Sequence, residues 1–134
     1  LQPTSPMRTT QHINESLESL KRLGVDSVVS LSPVHDHPAF MFFLDDTGRP
    51  SSVLDPTEFR TERRQDLRPA YTIDCAILGS CIEYLESQHH LYGSVVNLEN
   101  FCPYLLKFPA SIDINTEEDF LFARKTFTIS SGNT

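Results

Sequence analysis

From Thr10 onward the apolar positions Ile13, Leu17, Leu20 and Leu23 recur at the spacing of one helical face. Thr9 or Thr10 ahead of the run can cap it and Gly24 behind it can end it, so the pattern predicts an amphipathic helix. Asp26 to Leu31 (DSVVSL) is rich in β-branched residues and predicts a short strand. Leu1 to Pro6 reads as the end of a buried strand turning into a loop, which makes residues 1–31 a strand-end, helix, strand unit. That rhythm is α/β. A chain opening on a strand end also carries the expectation that the fold begins upstream of Leu1.

Residues 38–44 (PAFMFFL) are apolar and aromatic, and Asp45-Asp46-Thr47-Gly48 is a turn signal leading to Ser51–Leu54, so a β-hairpin is predicted. Between Asp55 and Pro69 the chain is charged and aperiodic, as in a loop or extended arm. Strands are predicted at Tyr71–Leu78 and at about Ser94–Leu98, with a short helix at Ser80–Ser87 following Gly79. A closing helix is predicted over Thr116–Phe127, with acids in its first turn, Arg124 and Lys125 in its last, and Phe120, Ala123 and Phe127 on one side. Residues 130–134 are expected to fray.

Composition narrows the class. At 134 residues and 39% hydrophobic the chain has material for one domain with a core. A net charge of −7 lacks the basic face that nucleic acid needs. No run approaches the roughly 18 apolar residues of a membrane span, and the first residues do not read as a secretory signal, so a cytoplasmic protein is expected. Cys75, Cys81 and Cys102 are odd in number, without a CxxC pair, and read as reduced thiols in apolar surroundings. The pairs His35 with His37 and His89 with His90 lack a third ligand in register and read as loop histidines.

Three segments carry candidate chemistry. In LQPTSPMR (residues 1–8) a Pro-stiffened turn beyond a strand end presents Gln2, Thr4 and Ser5, uncharged groups suited to a base, ribose or sugar hydroxyl; a purely structural turn with local bonds accounts for them equally. In SIDIN (residues 111–115) Ile112 and Ile114 point inward while Asp113 and Asn115 project to the same side, two oxygens that suit Mg²⁺ shared with substrate phosphates. Asn115 or Thr116 also serves as an N-cap, which explains Asn115 without a metal and leaves Asp113 unexplained. The cluster Arg60, Arg63, Arg64 and Arg68 can fork onto a carboxylate or phosphate, or form a solvated loop paired with Glu58, Glu62 and Asp66.

Taken in order, LQPTSPMR, DSVVSL, His35-Asp36-His37-Pro38, the turn at 45–48, RRQDL at 63–67, Tyr71–Ile77 and SIDINTEEDF at 111–120 resemble the acylneuraminate cytidylyltransferases, the CMP-sialic acid and CMP-nonulosonic acid synthetases. The resemblance runs through essentially the whole chain and looks like the carboxyl-terminal portion of such an enzyme, with the nucleotide-binding loop upstream of Leu1. It implies a Rossmann-like α/β nucleotidyltransferase domain, a mixed sheet flanked by helices, with roughly Pro38–Pro69 as a protruding hairpin arm exchanged in a homodimer. It further implies CTP and an acidic nine-carbon sugar as substrates, pyrophosphate as product and Mg²⁺ as cofactor.

Residue by residue, Gln2 resembles a sugar- or nucleotide-binding glutamine, with Thr4 and Ser5 beside it. Arg64, followed by Gln65, resembles the arginine that meets the sugar carboxylate or transition-state charge. Tyr71, Asp74 and Tyr92 fall at sugar contacts, and Asp113 and Asn115 at the two metal-binding aspartates. By this resemblance Arg64 and Asp113 are the catalytic candidates. Asp74-Cys75-Ala76-Ile77-Leu78 stands where the family usually has Asn-Gly-Ala-Ile-Tyr, which sets a carboxylate beside an anionic sugar and a Cys where Gly allows close approach. Asn115 has one negative charge fewer than an aspartate. A non-catalytic dimerisation or sugar-binding paralogue is the alternative that these departures raise.

Overall fold

The computed structural model describes residues 1–55, 57, 63–87 and 95–131. The chain divides into two compact units, residues 1–32 with 73–134, and residues 33–72.

The first unit is built on a three-stranded sheet of order β4-β1-β5, comprising β4 (Tyr71–Ser80), β1 (Ser27–Pro33) and β5 (Phe101–Leu105). β1 and β5 are parallel, in register from Ser27 opposite Phe101 to Leu31 opposite Leu105. β1 lies between two strands, and its residues Ser27 to Ser30 are all buried, which fits its short β-branched sequence. Helix α1 (Thr10–Leu23) packs against β5. Thr9 caps α1 in a reciprocal arrangement, its side chain accepting from the His12 backbone while the His12 ring accepts from the Thr9 N–H. Gly24 ends the helix in the left-handed conformation (φ 62°), its N–H bonded to the Leu20 carbonyl at 3.1 Å. The packed face differs from the expected apolar stripe. Leu17 and Leu23 are exposed, while Ser16 is buried and satisfies its hydroxyl on the Ile13 carbonyl, so a small residue faces the sheet.

Ala76, Ile77, Leu106 and Ala110 form a core cluster with Ile13 and Tyr104 against it. The strand expected near Ser94–Leu98 lies instead at Phe101–Leu105. Val95–Asn100 is irregular, pinned by the Asn97 side chain to Asp26 and to the N–H groups of Glu99 and Asn100. β5 contains Pro103, and among the described residues it pairs with β1 at the edge of the sheet, where a missing donor is tolerated. Gly79 belongs to β4, and the short helix α2 begins after it, at Ile82–Ser87. Helix α3 runs Glu117–Ser131, which places Arg124 and Lys125 inside it rather than in its last turn. Of its expected face only Ala123 is buried. Phe120 and Phe127 instead line, with Pro3, Pro6 and Ile114, an apolar cavity of about 390 Å³.

The second unit holds the expected hairpin. β2 (Phe42–Leu44) pairs antiparallel with β3 (Pro50–Ser52), and Pro38–Phe40, read as strand, is a 3-10 turn capped by His37. The His37 ring accepts from the Ala39 N–H at 3.1 Å and its other nitrogen meets the Arg68 carbonyl at 3.0 Å. His37 therefore has a structural role, as a loop histidine would. His89 and His90 lie outside the described residues. The three cysteines are free thiols, and burial pushes the Cys102 thiol up. Among the described residues no helix is long and apolar enough to cross a membrane. The first unit is an α/β arrangement compatible with a Rossmann-like fold.

Candidate functional site

The two candidate segments of the first unit meet through their backbones. The Ile114 N–H donates to the Thr4 carbonyl at 2.9 Å, which sets LQPTSP beside SIDIN. Within the first segment the Ser5 N–H and the Thr4 hydroxyl reach back to the Gln2 carbonyl and amide oxygens, each at 3.4 Å. Gln2 is exposed, whereas Ser5 is buried and its hydroxyl has no partner. Arg8, half-buried, ties this turn to the sheet by donating from Nη1 to the Ser5 carbonyl at 3.0 Å and to the Ala76 carbonyl at 3.2 Å. The turn is thus fixed to β4 two residues from Asp74.

Asp74 sits in a local irregularity of β4. Cys75 has φ 59°, the left-handed region that costs a non-glycine residue about 1–2 kcal/mol. A glycine takes this conformation without that cost. Asp74 Oδ1 accepts the Ala76 N–H at 3.1 Å and also the Ser30 hydroxyl, while Ser30 Oγ accepts the Ile77 N–H at 2.8 Å. Side chains from β1 and β4 thus satisfy two backbone donors at the kink. Asp74 is 6% exposed, and its Oδ2 is buried without a hydrogen-bond partner.

In the SIDIN segment Asp113 Oδ2 accepts the Asn115 side-chain amide at 3.0 Å, and Asp113 Oδ1 is buried without a partner among the described residues. Asn115 is not the cap of α3. That role falls to Thr116, whose hydroxyl accepts the Asp119 N–H at 3.2 Å while Asp119 Oδ2 accepts the Thr116 N–H at 2.9 Å. Asp119 also accepts the Asn115 N–H, and that bond, with those from Thr116, holds its carboxyl below the usual range. The Asn115 side-chain amide therefore donates to Asp113. Among the described residues no group of three His, Cys, Asp or Glu could hold a metal ion. A cation here would have two protein groups, the orphaned Asp113 oxygen and the Asn115 carbonyl, and would need substrate oxygens and water for the rest, which suits Mg²⁺.

Of the expected site residues, Gln2, Thr4 and Ser5 lie in one segment and Asp113 and Asn115 in the other, the two segments being joined by the Ile114–Thr4 backbone bond, while Arg8 bonds the Ala76 carbonyl two residues from Asp74. The others belong to the second unit or lie outside the described residues. Arg64 and Gln65 are in a 3-10 turn, Arg64–Asp66, with Gln65 exposed. Tyr71, at the start of β4, lines a shallow cavity of about 250 Å³ with His35, His37 and Arg68. Arg63 pairs with Asp66 at 2.9 Å, as the solvated-loop reading of that cluster expected. Arg60 and Tyr92 lie outside the described residues. Arg8 and Ser30 were not singled out by sequence. Ser30 had one available signal, a polar residue inside an otherwise buried strand.

No family model matches the chain. Over 121 residues, 90% of its length, it is 33% identical to proteins named N-acylneuraminate cytidylyltransferase from Streptococcus agalactiae serotypes V, III and Ia. The chain spans 28% of the length of each of these relatives.

Proposed function

We infer, from the premise that nine-tenths of this chain is homologous to N-acylneuraminate cytidylyltransferases, that it carries the sugar-facing and metal-facing walls of an enzyme of that kind. The complete protein joins CMP from CTP to an acidic nine-carbon sugar, the anomeric hydroxyl attacking the α-phosphate and pyrophosphate leaving. The observation that carries this reading is the Ile114–Thr4 backbone bond, which holds hydrogen-bonding groups for a sugar against a carboxylate with an unpartnered oxygen.

Such a displacement asks for positioning and charge neutralisation rather than a covalent intermediate. Gln2 and Thr4 orient the sugar, and Arg8 keeps their turn at a fixed distance from β4. Tyr71, Gln65 and Tyr92 contribute further sugar contacts, with Arg64 on the sugar carboxylate. Asp113 and Asn115 hold Mg²⁺, which supplies neutralisation of phosphate charge when bound. The exposed Phe42, Phe43 and Leu44 give the hairpin an apolar surface suited to a second copy, as an exchanged arm in a cytoplasmic homodimer. Phe43→Ser should then shift the sedimenting species to monomer, and an unshifted dimer removes the arm from the account. The chain by itself, spanning 28% of its relatives' length, is proposed to be inactive.

The test is pyrophosphate release by the complete natural protein. Release should require CTP, Mg²⁺ and an acidic nonulosonic sugar together. Silence with every acid in a panel of N-acylneuraminic and related acids would overturn the reading. A second reading is favoured by one observation, the strained Cys75 beside Asp74. It makes the protein a non-catalytic dimerisation or sugar-binding paralogue. Under that reading Asp74→Asn, Cys75→Gly and Asn115→Asp combined should create activity that the natural sequence lacks.

A further inference from the structure

Two apolar surfaces stand uncovered. On β2, Phe42, Phe43 and Leu44 are 59%, 64% and 70% exposed. Their cross-strand neighbours on β3 are Ser52, Ser51 and Pro50, so the hairpin brings no large apolar side chain opposite them. A two-stranded hairpin of this kind is marginal in water until it packs on something else. In the first unit, Phe120 and Phe127 of α3 are 50% and 61% exposed and line the cavity of about 390 Å³ with Pro3, Pro6 and Ile114. Clustered exposed apolar side chains of this sort mark interaction sites.

The charges beside the two surfaces are complementary. At the hairpin turn Asp45 Oδ1 is taken up by the Thr47 and Arg49 N–H groups and the Thr47 hydroxyl. Its exposed neighbour Asp46, two residues beyond Leu44, has no hydrogen bond or ion pair among the described residues. α3 supplies the counterpart. Arg124 lines the same cavity, at helical spacing from Phe120 and Phe127, and has no ion pair among the described residues.

We propose that the hairpin of one copy docks on α3 of a second copy, its apolar strand against Phe120 and Phe127 and its Asp46 on Arg124. The proposal rests on the reading of the hairpin as an arm and names the surface that receives it. In a two-fold dimer each copy gives one arm and receives one, so the exchange closes and covers both surfaces at once. The contact also reaches the candidate site, because Pro3 and Pro6 belong to LQPTSP and the Ile114 N–H makes the bond that joins SIDIN to it. The arm of the second copy thus braces that joint from the cavity side.

The experiment is sedimentation of the complete natural protein, which is read without activity. Asp46→Lys and Arg124→Asp each set like charges against one another and should raise the dimer Kd about tenfold or more, while the two together should return it to within about threefold of the natural value. Crosslinking identifies the copies. Protein with Asp46→Cys mixed with protein carrying Arg124→Cys should form a disulfide between these two positions, mapped by peptide mass, that neither variant forms alone. A dimer that Phe43→Ser dissociates but whose Kd ignores Arg124→Asp would overturn the docking site and leave the arm in place. A disulfide between positions 46 and 124 of a single chain, in protein carrying both cysteine substitutions, would overturn it too, since the arm would then cover its own α3. A natural protein that sediments as a monomer would overturn the proposal together with the arm, and pyrophosphate release would still decide the cytidylyltransferase reading separately.

Discussion

Asp74 and Asp113 each keep one carboxylate oxygen buried and unpartnered, but in opposite surroundings. Asp74 lies within the sheet, where its other oxygen satisfies a backbone donor and the Ser30 hydroxyl at a kink in β4. Asp113 lies in the segment leading to α3, where its other oxygen takes only the Asn115 side chain. Removing Asp74 leaves buried donors of the fold without acceptors. Removing Asp113 leaves one exposed amide that water can satisfy. One carboxylate is needed by the fold and the other can be spared by it, and the second has the character of a group kept for a ligand.

That contrast can be broken in four ways. The largest effect is expected at Asp113. Asp113→Ala should cost the complete protein about a hundredfold or more in kcat, while its urea midpoint stays level or rises. A clear loss of stability would make Asp113 structural. Next, Asp74→Ala should destabilise the chain by about 3 kcal/mol in urea denaturation, because the Ala76 N–H and the Ser30 hydroxyl both lose their acceptor. A value near zero would show that the kink does not depend on Asp74. Third, Cys75→Gly relieves a left-handed non-glycine residue and should stabilise the chain by about 1 kcal/mol. A loss of that size would mean that Cys75 packing outweighs its strain.

The smallest effect concerns pH. The Asp119 carboxyl is held below its ordinary value by the Asn115 and Thr116 donors, so its contribution is full above the unfolded-state carboxylate pKa and is lost as pH falls through the lower folded value. Asp119→Asn should therefore flatten the acid side of the stability profile without changing its neutral plateau in slope. An unchanged acid limb would show that the cap does not depend on the carboxylate charge.

The strong local signals were legible in the sequence. α1 follows from its cap, its periodicity and Gly24, the hairpin from its turn residues, and the meeting of LQPTSP with SIDIN from the order of motifs. Elements governed by partners rather than by local pattern were not. β5 lies at Phe101–Leu105 rather than near Ser94–Leu98, and its place is set by its pairing with β1, which the local pattern does not show. Ser16 on the packed face of α1 is a small polar residue that bonds back to the Ile13 carbonyl, and Ser30 is a polar residue whose partners lie on another strand. The assignment of the α3 cap turned on whether the Asn115 or the Thr116 side chain accepts the Asp119 N–H, a geometric choice between neighbouring residues of similar propensity. The cap role considered for Asn115 falls to Thr116, and the Asn115 amide bonds Asp113 instead.

The central claim is that LQPTSP and SIDIN line one site. The most direct measurement is a double-mutant cycle on kcat/KM for the complete protein, using Gln2→Ala and Asp113→Ala. Residues that serve one transition state are non-additive, so the double variant should lose little more than Asp113→Ala alone. Losses that simply multiply would contradict the account and place Gln2 and Asp113 in separate roles.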